Sequence, residues 1–158
     1  MPAPGPVPAR RARASRAAPD LSVCDRWRPR TSLAFLREVV RTTLSFLARP
    51  AMPVSLLLTD DAEITRLHAR HLGDPTPTDV ISFEVDGGAE IAISVETALR
   101  TARQHGHSPR AEVALYVVHG LLHTSGFDDI RARDRARMRA AERTVMQRLR
   151  LRVHAVDA

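Results

Sequence analysis

The sequence has no lysine; all 24 of its basic residues are arginine. It has one cysteine, Cys24, so no intrachain disulfide can form, which fits a reducing compartment such as the cytoplasm. Long apolar runs are also missing. The longest, such as Val-Ala-Leu-Tyr-Val-Val at 113–118, are far too short to span a bilayer, so no membrane partner is expected. The opening MPAPGPVPARRARASRAAPD has no apolar segment of the kind that makes a secretory signal. Its Pro, Arg and Ala content predicts a disordered basic tail over residues 1–20, or a start codon placed too far upstream, rather than a transit peptide. No internal repeat is visible.

Among 158 residues, 44% are hydrophobic, enough for one domain with a real core, placed here at 21–155. The net charge of +6 is unevenly distributed. Residues 1–30 hold seven arginines against two acids, residues 31–125 eight against eleven, and residues 126–158 nine against five. Basic ends fit a nucleic-acid partner. A general preference for arginine on solvated faces is the plain alternative, and charge alone does not choose between them.

Local signals outline the elements. Leu21 to Trp27 alternates weakly, as an edge strand does. Thr31 or Ser32 can cap a helix with apolar positions Leu33, Leu36, Val40, Leu44 and Leu47, and Pro50 lies beyond its end. Residues 54–59 read as a buried strand. Asp60 and Glu63 form a capping box for a helix carrying Ile64, Leu67 and His71, closed by Gly73. Strands at 80–85 and 90–94 flank Asp86-Gly87-Gly88, a hairpin signal. Residues 95–105 read as a helix ended by Gly106. Ser108-Pro109 opens another, running to Gly126, and a last amphipathic helix is expected over 130–152 with Met138, Ala141, Val145 and Leu149 as its stripe. The class is α+β: one small domain, a mixed sheet of about four strands packed with about five helices.

The chemistry concentrates in VVHGLLHTSGFDDI, residues 117–130. His119 and His123 stand four apart on a helix, so their side chains share a face and can hold one ion. Gly126 can take the left-handed conformation that ends a helix, after which the chain reverses. The three residues to Asp129 span at most ~10 Å, enough to bring its carboxylate beneath the histidines. Two histidines, one carboxylate and an open position suit catalytic zinc, and the carboxylate also admits manganese or iron. Two histidines on an apolar helix also occur as ordinary core side chains; the glycine and the spaced carboxylate weigh for metal. The residue after the first histidine is Gly120, not the glutamate that serves as general base in H-E-x-x-H proteases. Glu112, seven residues before His119, is read either as a carboxylate behind a ligand histidine or, preferably, as a first-turn acid.

These residues resemble the YbeY family of bacterial endoribonucleases and ribosomal RNA maturation factors. His119-Gly-Leu-Leu-His-Thr-Ser-Gly-Phe-Asp-Asp129 is similar to that family's H-G-x-L-H-x-x-G-Y-D-H, and Pro77-Thr-Asp-Val-Ile-Ser-Phe83 to its P-T-D/N-V-L-S-F block. Ala89 to Ser94 sits where the family has G-D/E-I-x-I. The resemblance covers about residues 21–152. It implies a small α+β fold with the metal on its long helix near 109–125, a zinc ion, a ribosomal RNA substrate and the small ribosomal subunit as partner.

Two departures stand out. The family's three metal histidines fall on His119, His123 and Asp129, with Asp128 matching the aspartate before the third ligand; His119 is also the candidate participant in cleavage. The family's basic residue of the Y-R-G-x-D-x-P-T block falls on Leu72, and its tyrosine on His71. Arg70 is near in sequence, but successive helical positions point about 100° apart. Arg70, Arg131 and Arg135, with Arg133 and Arg137, are candidate RNA contacts, although four arginines two apart cannot all face one groove. The resulting expectation is a metal-dependent single-strand endoribonuclease of ribosomal RNA maturation and quality control. A non-catalytic metal-binding assembly factor and a zinc metalloprotease are the rivals.

Overall fold

The computed structural model describes residues 19–153. The tail expected over 1–20 lies outside them except for its last two residues. The four strands are β1 (Leu21–Asp25), β2 (Val54–Thr59), β3 (Val80–Val85) and β4 (Gly88–Ser94); the five helices are α1 (Leu33–Phe46), α2 (Asp61–Leu72), α3 (Val95–His105), α4 (Pro109–Thr124) and α5 (Ala132–Arg148). The sheet runs β1-β2-β4-β3. The first three are parallel and β3 is antiparallel to β4, so the sheet is mixed and β1 lies at an edge as its weak alternation suggested.

The hairpin forms where Asp86-Gly87-Gly88 placed it. Asp86 and Gly87 both have positive φ (48° and 75°), which a tight turn needs and glycine adopts without cost. Caps follow the sequence closely. Ser32, Asp60, Ser94 and Ser108 each accept an N–H of the first turn, and Gly73 and Gly106 end α2 and α3 in the left-handed region. The capping box of α2 is half made. Asp60 accepts from the Glu63 N–H, but the Glu63 carboxylate turns to the Thr59 hydroxyl and Arg26 instead of back to Asp60.

Burial shows which faces matter. Val54, Leu56 and Leu58 of β2 and Ala89, Ile91 and Ile93 of β4 point to one side, where α1 and α4 cover them. The alternate residues Ser55, Leu57 and Ala92 face a 340 Å³ groove on the other side, beside Leu67 and His71 of α2. α4 is the central helix, buried around most of its circumference from Ala111 to Leu122. Gly120 makes this depth possible. A Cβ there would meet Ile91 Cγ2 at 2.9 Å, so only glycine lets α4 sit this close to β4.

Three expectations need correction. The last helix spans 132–148, not 130–152. Its N-cap, Arg131, offers no capping side chain, and Arg150 takes φ 58° beyond the last turn, which no glycine announces. α4 ends at Thr124, with Ser125 as its cap, before Gly126 turns at φ 95°. In the stripes, Leu33 is exposed at 44%, and of Ile64, Leu67 and His71 only Ile64 is fully buried.

Candidate metal centre

α4 leaves the core at its C-terminal end, and the change of environment falls on the two histidines. His119 is half-buried and His123 is exposed. Their rings stand 6.2 Å apart at an angle of 48°, as neighbours one turn apart do. The chain then reverses through Gly126 and returns Asp128 and Asp129 to the same place. Donor atoms of His123, Asp128 and Asp129 lie within 4.8 Å of one another. Asp129 Oδ2 is also 3.9 Å from His119 Nε2, so its carboxylate reaches both histidines.

The two aspartates divide the work. Asp128 Oδ1 accepts the N–H of Asp129 at 2.7 Å and of Ile130 at 3.2 Å, which fixes the loop in an Asx turn. Arg135 reaches back from α5 and donates to the carbonyls of Asp129 and Ile130, at 3.3 and 2.7 Å. The loop is thus held from both sides. Asp129 was expected as the ligand to the exclusion of Asp128; the fold brings both carboxylates to the cluster, with Asp129 facing both rings.

Behind His119 stands a residue that sequence reading missed. Glu142 Oε1 on α5 lies 2.7 Å from His119 Nδ1, its side chain only 16% exposed. A carboxylate on Nδ1 holds that nitrogen's proton and leaves Nε2, the nitrogen facing Asp129, as a lone-pair donor. Burial disfavours the charged ring, but the hydrogen bond and charge of Glu142, with the charges of Asp129 and Asp79, outweigh it, and the pKa of His119 is raised. The only hint in the sequence is that Glu142 follows Ala141, a buried stripe position, in a helix otherwise crowded with arginine.

Glu112 does not serve a ligand histidine. It lies in the first turn of α4, as preferred, but buried: its Oε2 is 2.8 Å from His107 Nδ1, with both side chains nearly inaccessible. Arg70, Arg131 and Arg135 are exposed, and Arg135 is engaged with the loop carbonyls. Leu72 is 55% exposed at the end of α2.

The donor set fits a divalent ion. Ligand bonds of ~2.0–2.2 Å place two donors of one ion no more than ~4.4 Å apart, and the separations within His123, Asp128 and Asp129, and between Asp129 and His119, need only small side-chain adjustments to meet this. The close group is His123 with Asp128 and Asp129, which His119 approaches through Asp129; imidazole with carboxylate accepts zinc, and carboxylate admits harder ions.

The family model described as endoribonuclease YbeY matches residues 26–150, which include the whole cluster and Glu142. The chain belongs to the YbeY family. An endoribonuclease YbeY of Heliobacterium modesticaldum is 38% identical over 112 residues, 60% of this chain and 68% of the relative. Another, from a Roseiflexus species, is 35% identical over 147 residues, 82% of this chain and 91% of the relative. The solution structure of a Thermotoga maritima protein shares the fold, with a TM-score of 0.59 and 19% identity over 82% of this chain and 91% of that one. YbeY membership makes the chain's chemistry that of a nuclease, a hydrolase of RNA.

Proposed function

We propose that this YbeY-family chain is a metal-dependent single-strand endoribonuclease that matures ribosomal RNA and takes part in ribosome quality control, with the small ribosomal subunit as its partner and the cytoplasm as its place. The observation that carries the metal dependence is the position of Asp129 between two histidines, one of them held from behind by Glu142. Among the described residues no helix is long and apolar enough to cross a membrane, which agrees with this setting.

His119 through Nε2, His123 and Asp129 would hold the ion, with Asp128 shaping the loop and offering its second oxygen. A zinc ion bound there supplies Lewis acidity to a phosphate oxygen and a more acidic water at neutral pH. The chain's own contribution is position. Glu142 fixes the ring of His119 and the proton on its Nδ1. Arg135 and Asp128 fix the loop that carries Asp129. The exposure of His123 leaves the outer side of the cluster open to a strand of RNA.

The assembly-factor reading draws on one observation, Leu72 at the position of the family's basic residue. The metalloprotease reading meets a physical obstacle beyond a missing glutamate. Position 120 faces Ile91 of the sheet, so a carboxylate there would point into the core and not toward substrate. The deciding experiment is cleavage of a ribosomal RNA precursor, with and without chelator. Cleavage abolished by chelator and restored by zinc supports the nuclease. Tight metal binding with no cleavage would support the assembly factor, and hydrolysis of peptide instead of RNA the protease.

A further inference from the structure

The metal cluster is rich in negative charge. Asp128 and Asp129 belong to it, and Glu142 stands behind His119. One divalent ion does not neutralise three carboxylates, so an anionic strand arriving there needs further cations. Residues 131–143, the cap and first three turns of α5, carry six arginines, at 131, 133, 135, 137, 139 and 143, all exposed. Among the described residues none of the six is ion-paired. The helix has only two acids, Asp134 and Glu142, and Glu142 is committed to His119.

Helical geometry separates the five arginines within the helix into two groups, while Arg131 stands at its N-cap. At about 100° per residue, Arg135 lies about 20° around the axis from Glu142, Arg139 about 60° and Arg143 about 100°. Arg137 lies about 140° away and Arg133 about 180° away, on the far flank. Arg137 is also seated over the Phe127 ring at 5.9 Å. Positions 135, 139 and 143 form one i, i+4, i+8 row with a rise of about 6 Å per step. The row begins at the loop of Asp129, where Arg135 is anchored, and runs along the helix to the level of Glu142, which contacts His119, so it flanks the cluster along its length.

We propose that Arg139 and Arg143 form a phosphate track that holds a single strand of RNA alongside the metal cluster, in continuation of Arg135, while Arg133 and Arg137 take no part. This rests on the endoribonuclease reading above and adds the path of the substrate. Guanidinium groups suit the role, since each offers a planar fork of donors to a phosphate and stays charged at every working pH.

The test compares two paired variants of the full, zinc-loaded chain, Arg139→Gln with Arg143→Gln and Arg133→Gln with Arg137→Gln. The probe is a cleavage-resistant 2′-O-methyl RNA oligonucleotide without secondary structure, and affinity is read by fluorescence anisotropy across a salt series. The first pair should lose tenfold or more in affinity, and its log–log salt slope should fall by about 1.4, two single-strand phosphate contacts at about 0.7 each. The second pair should stay within about twofold of wild type with an unchanged slope. Both pairs should keep their metal content and melting temperature, because all four side chains are exposed. Equal losses in the two pairs, or a larger loss in the second, would overturn the track and leave an undirected cationic helix. A wild-type chain that fails to bind the probe at any salt concentration would sink the endoribonuclease reading and the track with it.

Discussion

Nδ1 of His119 and Oε1 of Glu142 stand 2.7 Å apart, although 23 residues separate them and they belong to different helices. The pair ties the end of α4 to the middle of α5 and sets which nitrogen of His119 faces the cluster. Removing such a carboxylate from behind a ligand histidine typically costs 10–100-fold in metal affinity. Glu142→Ala should therefore weaken zinc binding by about that factor, read by competition with a chromophoric chelator. Glu142→Gln should retain more, because its amide oxygen can still accept from Nδ1. Equal affinity in all three proteins would make the pair a helix–helix contact only.

The same pair has a pH signature in metal-free protein. Burial lowers the proton affinity of His119, but Glu142, Asp129 and Asp79 raise it further, and the net shift is upward. A raised folded pKa stabilises the fold fully below the unfolded value of ~6.5, and that contribution is lost as pH rises through the folded value. Glu142→Gln should accordingly destabilise chelated protein more at pH 5.5 than at pH 8.5, and the titration of His119 followed by NMR should move to lower pH. A destabilisation independent of pH would show that the ion pair contributes nothing.

Asp129 is the carboxylate that reaches both histidines, while Asp128 spends one oxygen on the loop. Elemental analysis after dialysis should find Asp129→Ala largely empty and Asp129→His filled. Asp128→Ala should keep a measurable share of its metal but bind it less tightly, since the loop loses its Asx turn. If Asp128→Ala empties the site while Asp129→Ala stays full, their roles are exchanged.

Gly120→Ala sets two effects against each other. Alanine in a helix gains about 1 kcal/mol over glycine. The added Cβ, 2.9 Å from Ile91 Cγ2, over-packs the core at a cost of about 1–3 kcal/mol. The net should be destabilising, lowering the melting temperature by a few degrees. The double variant with Ile91→Ala should be less unstable than the sum of the two single changes, because the new methyl group enters the space that Ile91 leaves. A stabilised Gly120→Ala would mean that α4 can lift from the sheet at no cost.

How much of this was legible depended on distance along the chain. Ser108-Pro109, Gly73, Gly106 and Asp86-Gly87-Gly88 act within four residues, and each produced the element it announced. His119, His123 and Asp129 lie within eleven residues, and helix periodicity followed by one turn is enough to bring them together. Glu142 was out of reach because the α4–α5 packing, not local geometry, delivers it. Glu112 was legible as the first-turn acid of α4, but its partner was not: His107 comes from the connection before the helix, which helical spacing does not reach. The ends of α5 escaped because neither is marked by a capping side chain or a glycine.

Leu72 tests how much of the family's chemistry the chain retains. It occupies the position of the family's basic residue in the Y-R-G-x-D-x-P-T block, is 55% exposed, and is followed by Gly73, which ends α2 at φ 68°. More than half of its surface is open to solvent, so Leu72→Arg should change stability by less than about 0.5 kcal/mol. Arg70 does not stand in for it: two residues earlier on the helix, it points about 200° around the axis and so faces away. If the missing guanidinium limits turnover, Leu72→Arg should raise the cleavage rate on a ribosomal RNA precursor, while Arg70→Ala leaves the wild-type rate unchanged. The comparison is best made at saturating RNA, so that a gain in the chemical step is not mistaken for tighter binding by one more cation. A rate unchanged by Leu72→Arg but reduced by Arg70→Ala would assign the role to Arg70, and would require α2 to turn or unwind at its last turn when RNA binds.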